Sequence, residues 1–204
     1  MAIDTGLQVD CGNLNAVGGI RQILLTDLDN IATVAPTTSN AAHTLTSITT
    51  TSPWARFEFK NETASLAISG TKEGGSTAYE CALSFYLPQM TGARFNEIMS
   101  LAGWTDTALA SACPVALVEM NDGTQLLVGW SYVYQNISQG ATPWDRNQTY
   151  ANLATIEGGT GAAYADDNGL TITLTARQFE LPLEYQSALL GITVLAGDVT
   201  ADTD

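Results

Sequence analysis

Three cysteines, one histidine and 21 carboxylates are the side chains with most chemistry in this chain of 204 residues. Cys11, Cys81 and Cys113 are odd in number, far apart and without a CxxC pair. That spacing argues against a disulfide framework and a thiolate zinc site, and reads as buried, reduced thiols. His43 lies in a Thr-rich stretch with no HxxxH and no carboxylate at ligand spacing. Such a lone imidazole fits a solvated or packed side chain better than a ligand or a general base. There is no GxSxG, and one His gives no credible Ser-His-Asp set. Neither GxxxxGK[ST] nor strand–GxGxxG–helix occurs, so nucleotide binding has no support. Glu157-Gly158-Gly159-Thr160-Gly161 has the glycines of a phosphate loop, but neither a Lys nor a following helix, and reads as a plain loop. A glycosidase needs two acids facing across a cleft. Glu58, Glu80, Glu119 and Asp145 are eligible by type, yet each fits a solvated strand face as well. Asp27 and Asp29 with Asn30, and Asp166 and Asp167 with Asn168, could hold a hard cation, but lack the terminal Glu of a calcium loop. They read as turn residues. No enzymatic activity, metal or cofactor is expected.

The elements around these residues are mostly strands. Residues 1–19 carry four glycines and read as an extended arm. Ile20 to Leu25 is a short strand stopped by Asp27. Residues 31–53 are rich in Thr, Ser and Ala, with an imperfect strand pattern over 43–51. Ala64, Leu66 and Ile68 alternate with polar or small residues, as do Tyr79, Cys81, Leu83, Phe85 and Leu87. The turn Gly70–Ser76 between them predicts a hairpin over 63–87. Gly92–Gly103 is the one helix, with Thr91 as N-cap and Phe95, Ile98, Met99 and Ala102 as its buried stripe. A second hairpin, 115–131, turns at Asn121-Asp122-Gly123. Residues 135–169 read as a long loop, which is beyond ordinary connections and suits a functional segment. Leu170 to Thr175 is the last clean strand, continued over 179–185 around Pro182, and 191–204 is an acidic tail. The pattern predicts a mainly β fold: an antiparallel sandwich or open barrel over 20–190, with one flanking helix.

Charge narrows the functional classes. Seven basic residues against 21 acidic ones give a net charge of −14. Clamping nucleic acid needs a basic stripe, and binding anionic lipid needs a basic patch. No apolar run is long enough for a spanning helix, and no leader peptide is visible at the N-terminus. The aromatic Trp144, between Pro143 and Arg146 in the long loop, suits a subunit contact, with Tyr150 nearby. A building block for an assembly fits these features.

One family has this order of parts. Cys11-Gly12-Asn13 precedes Gly18-Gly19-Ile20. The Ala64–Pro88 hairpin follows with the helix behind it, then the Val115–Trp130 hairpin and the closing strand Leu170–Tyr185. Over residues 11–185 the chain resembles the tail tube proteins of tailed bacteriophages. The resemblance implies a β-sandwich with a flanking helix, in rings of six that stack into a tube. Each ring would be lined by a β-barrel of 24 strands, four per subunit. It implies a virion component made in the host cytoplasm, with itself as main partner and possible sheath, terminator and baseplate neighbours. It carries over no catalytic residue. An acidic lumen would repel the DNA that passes through it without specific binding. Hairpins 63–87 and 115–131 are the expected lumen strands, with Glu58, Glu62, Glu73, Glu80, Glu119 and Asp122 as lumen-facing candidates. Trp144, Arg146 and Tyr150 are the candidate contacts between subunits, and the 1–19 arm, 31–53 and 135–169 the expected stacking segments. Two other readings stand beside it: a capsid decoration or neck-ring protein, and a carbohydrate-binding or adhesion sandwich using Trp130, Trp144 and Tyr150.

Overall fold

The central strands read as apolar runs because they are buried on both faces. In the computed structural model, which describes residues 18–36, 43–73, 76–103, 113–131, 149–161, 167–186 and 194–195, Ile20–Asp27 forms β1 and Pro114–Met120 forms β7. The other strands are β2 (Ile31–Pro36), β3 (Thr44–Thr50), β4 (Trp54–Phe57), β5 (Ser65–Glu73), β6 (Ser76–Pro88) and β8 (Gln125–Val128). β9 (Ala151–Gly159), β10 (Gly169–Gln178), β11 (Leu183–Tyr185) and β12 (Val194–Leu195) complete them, and α1 spans Gly92–Leu101. The fold is mainly β, with two sheets and one flanking α-helix among the described residues. No helix among these residues is long and apolar enough to cross a membrane.

The larger sheet runs β12-β4-β1-β7-β8-β11-β3-β2, and the smaller β5-β6-β10-β9. All pairs are antiparallel except β11–β3 and β12–β4. Those two join segments distant in sequence, so no hairpin dictates their direction.

Two apolar clusters account for the packing. Ile23 and Leu25 of β1 and Ala116 and Val118 of β7 face one cluster, between the sheets. They meet Cys81, Leu83, Phe85 and Leu87 of β6, Ile172, Leu174 and Ala176 of β10, and Ile98 and Leu101 of α1. Phe57 stands edge-on to Phe85, ring centres 6.2 Å apart. On the opposite face of the large sheet, Leu24, Val115 and Leu117 join Leu45, Trp54, Leu127 and Leu183 in the second cluster. Among the described residues this cluster draws only on the large sheet and its flanking segments, as in a sheet that curls over its own inner face.

Buried polar groups stitch the seam. Gln178 donates from Nε2 to the Trp130 carbonyl at 2.7 Å and accepts from Cys81 Sγ at 3.2 Å. Ser131 donates to Glu180 Oε1 at 3.0 Å. Gly129 ends β8 at φ +89°, where a Cβ would lie 3.0 Å from the Ala151 nitrogen and 3.1 Å from the Pro114 carbonyl oxygen. Only glycine combines that conformation with so close an approach.

Four expectations need correction. Residues 151–159 of the expected long loop are strand β9, paired to β10. The turn between β5 and β6 is shorter than Gly70–Ser76, because β5 continues to Glu73. Part of the expected C-terminal tail, Val194–Leu195, pairs with β4. Helix α1 begins after Thr91, whose Oγ1 accepts from the Arg94 nitrogen, but its buried line is Ile98 and Leu101. Phe95, Met99 and Ala102 are exposed. Arg94 donates to the Pro88 carbonyl at the end of β6, which anchors the first turn and fixes which side faces the sheets.

Candidate functional site

Period-two patterning gives the small sheet one buried face and one bare face, whose side chains are partly or fully exposed among the described residues. Cys81, Leu83, Phe85 and Leu87 point to the core, so Glu80, Ala82, Ser84 and Tyr86 point away. On β10, Ile172, Leu174 and Ala176 point in, leaving Thr171, Thr173, Thr175 and Arg177 outward. Strand pairing extends these alternations into rows across the sheet. Ser65, Ser84, Thr173 and Thr155 form a row of four hydroxyls. Within it, the Ser84 and Thr173 hydroxyl oxygens are 3.2 Å apart. The adjacent row is Ala67, Ala82, Thr175 and Asn152. Ser69, Glu80 and Arg177 lie beyond it on one side. Tyr86, Thr171 and Glu157 lie beyond the hydroxyl row on the other. In these rows no aliphatic side chain is larger than alanine.

The cations at this face are engaged by carboxylates. Arg177 Nε is 3.4 Å from Glu80 Oε2, with both side chains largely in solvent. Lys60 Nζ is 2.8 Å from Asp167 Oδ1 and lies 5.7 Å over the Tyr86 ring. The hydrogen bond that Lys60 donates to Asp167, then the Asp167 charge, hold the Lys60 ammonium above the usual lysine range. Behind the face, burial pushes the Cys81 thiol up to about 11, and the Glu80 charge adds to the effect. A thiol held so protonated is a packing group and not a nucleophile.

The two edges of this sheet, β5 and β9, pair with nothing further among the described residues. From Ser65 to Thr71, β5 carries no charge and no proline, which are the usual guards of an exposed edge.

The six acids singled out as lumen candidates do not share one surface. Glu80 is on the bare face, and Glu73 ends β5, its backbone paired with Ser76. Glu58 and Glu62 are exposed in the connection from β4 to β5. Glu119 is in the large sheet, 3.9 Å from Arg21 Nη1. Asp122 turns the β7–β8 hairpin, its Oδ1 accepting from the Thr124 nitrogen at 2.9 Å. Hairpin 115–131 therefore cannot share a lining with 63–87: it belongs to the other sheet, and residues 114–118 are buried. Sequence reasoning missed Glu157, Arg177 and the outward threonines of β10. The Thr-x-Thr-x-Thr spacing of 171–175 was the available signal.

Trp144 and Arg146 lie outside the described residues. Tyr150 is half-buried against the inner cluster of the large sheet, where burial, then the nearby Cys113, raise its phenol above the usual range. Trp130 is 5% exposed and presents no ring for sugar stacking. The acidic pair of the first turn has local duties: Asp27 caps residues 28–30 by accepting from the Asp29 nitrogen, and its other oxygen accepts from the Cys113 nitrogen. Among the described residues, no three His, Cys, Asp or Glu side chains gather as a metal site. Comparison with protein-family models, curated proteins and solved structures gives no match.

Proposed function

We propose that this protein is a structural subunit of a phage-type tail tube. Its small sheets join edge to edge into a ring, and the bare face lines a channel for double-stranded DNA. The observation that carries the reading is the small sheet itself: four strands, two edges without a partner among the described residues, and an outward face rich in small hydroxyl side chains.

Strand direction supports ring closure. Neighbours in the small sheet are all antiparallel. With four strands, the two edges run in opposite directions. A second copy in the same orientation therefore lays its β5 antiparallel to the first copy's β9. The two edges differ, so the contact is head-to-tail and closes by rotation. Six copies of four strands match the 24-stranded lining that the resemblance implies.

The chemistry of the face suits passage without binding. Affinity for DNA comes chiefly from cations that displace phosphate counterions. Here Arg177 and Lys60 are each engaged by a carboxylate, and a net charge of −14 repels the duplex as a whole. Short hydroxyl side chains offer neither a deep pocket nor an apolar wedge. In this reading the protein resides in the virion tail, and any sheath, terminator or baseplate partner meets surfaces other than the bare face. The burial of Trp130 removes one support of the carbohydrate-binding reading.

Negative-stain electron microscopy across a concentration series tests the proposal. Hollow filaments with a stain-filled channel are the expected result. Monomers or isolated trimers at every concentration count against a self-assembling tube.

A further inference from the structure

Each free edge of the small sheet carries one exposed isoleucine on the core-facing side. Ile68 on β5 is 43% exposed and Ile156 on β9 is 44% exposed. Their partners within the sheet, Cys81 and Ile172, are fully buried. The apolar layer between the sheets thus runs past its cover at both ends, on the same face. Within one copy both isoleucines stay partly in water, and a neighbour's apolar layer would take both out of it.

We infer that these two side chains set the register between neighbouring copies: Ile156 of one packs directly opposite Ile68 of the next. This rests on the ring reading above and adds to it a specific stagger. Ile156 shares a row with Ile172 and Phe85, and Ile68 pairs with Cys81, four residues away along β6. Joined in straight rows, the copies would set Ile68 beside Ala151, and Ile156 beside the position of Ala64. Both alanines are already buried, so the isoleucines would stay apart. A slip of four residues brings them together. Because four is even, every hydroxyl of the bare face stays on that face.

The slip also fits barrel geometry. Strands in a closed barrel must tilt, and the tilt follows from the total stagger divided by the strand number. Six junctions of four residues give a shear of about 24 for about 24 strands, a ratio of one. Eight-stranded barrels with a shear of eight have the same ratio and tilt by about 36°, inside the usual range of roughly 35–45°. The two isoleucines and the closure of the ring therefore ask for the same offset.

Cysteine cross-linking tests this register. In a Cys11→Ser/Cys81→Ala background, which removes the thiol opposite Ile68 in its own sheet, the double variant Ile68→Cys/Ile156→Cys is oxidised mildly and run on a non-reducing gel. A ladder of covalent multimers is expected, because directly opposed residues on neighbouring strands come within disulfide reach. The off-register pair Leu66→Cys/Ile156→Cys, two residues away, gives at most a trace. A ladder that favours the off-register pair overturns the inference, and so does its absence from the first pair at every concentration. Microscopy of the same samples separates the two ideas: hollow tubes without the 68–156 cross-link overturn the register and leave the tube. A second variant, Ile156→Asp, alters an exposed side chain. Its melting temperature as a monomer should match the wild type while ring formation is lost, and tubes formed by it at wild-type concentrations would equally overturn the inference.

Discussion

Cys81 links the bare face to the core beneath it. Its thiol donates to Gln178, whose amide donates in turn to the Trp130 carbonyl. This chain crosses from β6 through β10 to the end of β8, so it ties the small sheet to the large one. The thiol is lifted from 9.0 to about 11 by burial and the Glu80 charge. Below pH 9 both folded and unfolded chains keep the proton, and the contribution to stability is complete. Above pH 9 the unfolded chain loses the proton first, so stability falls until the folded thiol also ionises near pH 11. The loss over that window is on the order of 2 kcal/mol. Urea melts between pH 8 and 11 should show this decline, and Cys81→Ala should flatten it. An identical slope in the variant would mean that other groups govern the alkaline limb.

Among the elements, β9 shows why part of the fold was hidden in the sequence. The β5–β6 and β7–β8 hairpins and β10 were legible because they alternate or carry a glycine turn. β9 has a bulge at Ala154, between the Thr155–Thr173 and Leu153–Leu174 pairs. The extra residue puts Leu153 and Ile156, an odd number apart, on the same side. Period-two reading fails at that point and returns a loop. Helix α1 was legible in extent but not in orientation, since two overlapping apolar lines run along it and Arg94 selects one. Candidate site residues fared worse, because residue type reveals an acid but not which sheet carries it. Glu80 and Glu119 fall on strands that look alike in sequence and belong to different sheets. The element joint at Gly129 makes its own prediction. Gly129→Ala adds a Cβ against the Ala151 and Pro114 backbones at a positive φ. It should cost about 2–4 kcal/mol by denaturant melts, whereas Gly92→Ala, where a Cβ meets nothing, should leave stability the same or higher.

For the whole molecule, assembly into the proposed ring would work against charge. Copies that each carry −14 would have to approach to strand-pairing distance. Salt shortens the reach of that repulsion to about 10 Å at 0.1 M. The concentration needed for filaments should therefore fall severalfold between about 10 mM and 300 mM salt, as measured by pelleting. A threshold indifferent to salt would mean that the contacts lie far from the acids. The pairing of β6 with β10 has another consequence, in time. During synthesis β10 leaves the ribosome roughly 80 residues after the β5–β6 hairpin, a lag of several seconds at ~5–20 residues per second. Until β10 arrives, the inner side of β6 lacks its partner and the uncharged run of β5 lies open. Nascent chains on one message then present matching sticky hairpins to each other. The edge that would serve the proposed ring is a hazard to the growing chain, and slower initiation or cooler expression should raise the yield of folded protein.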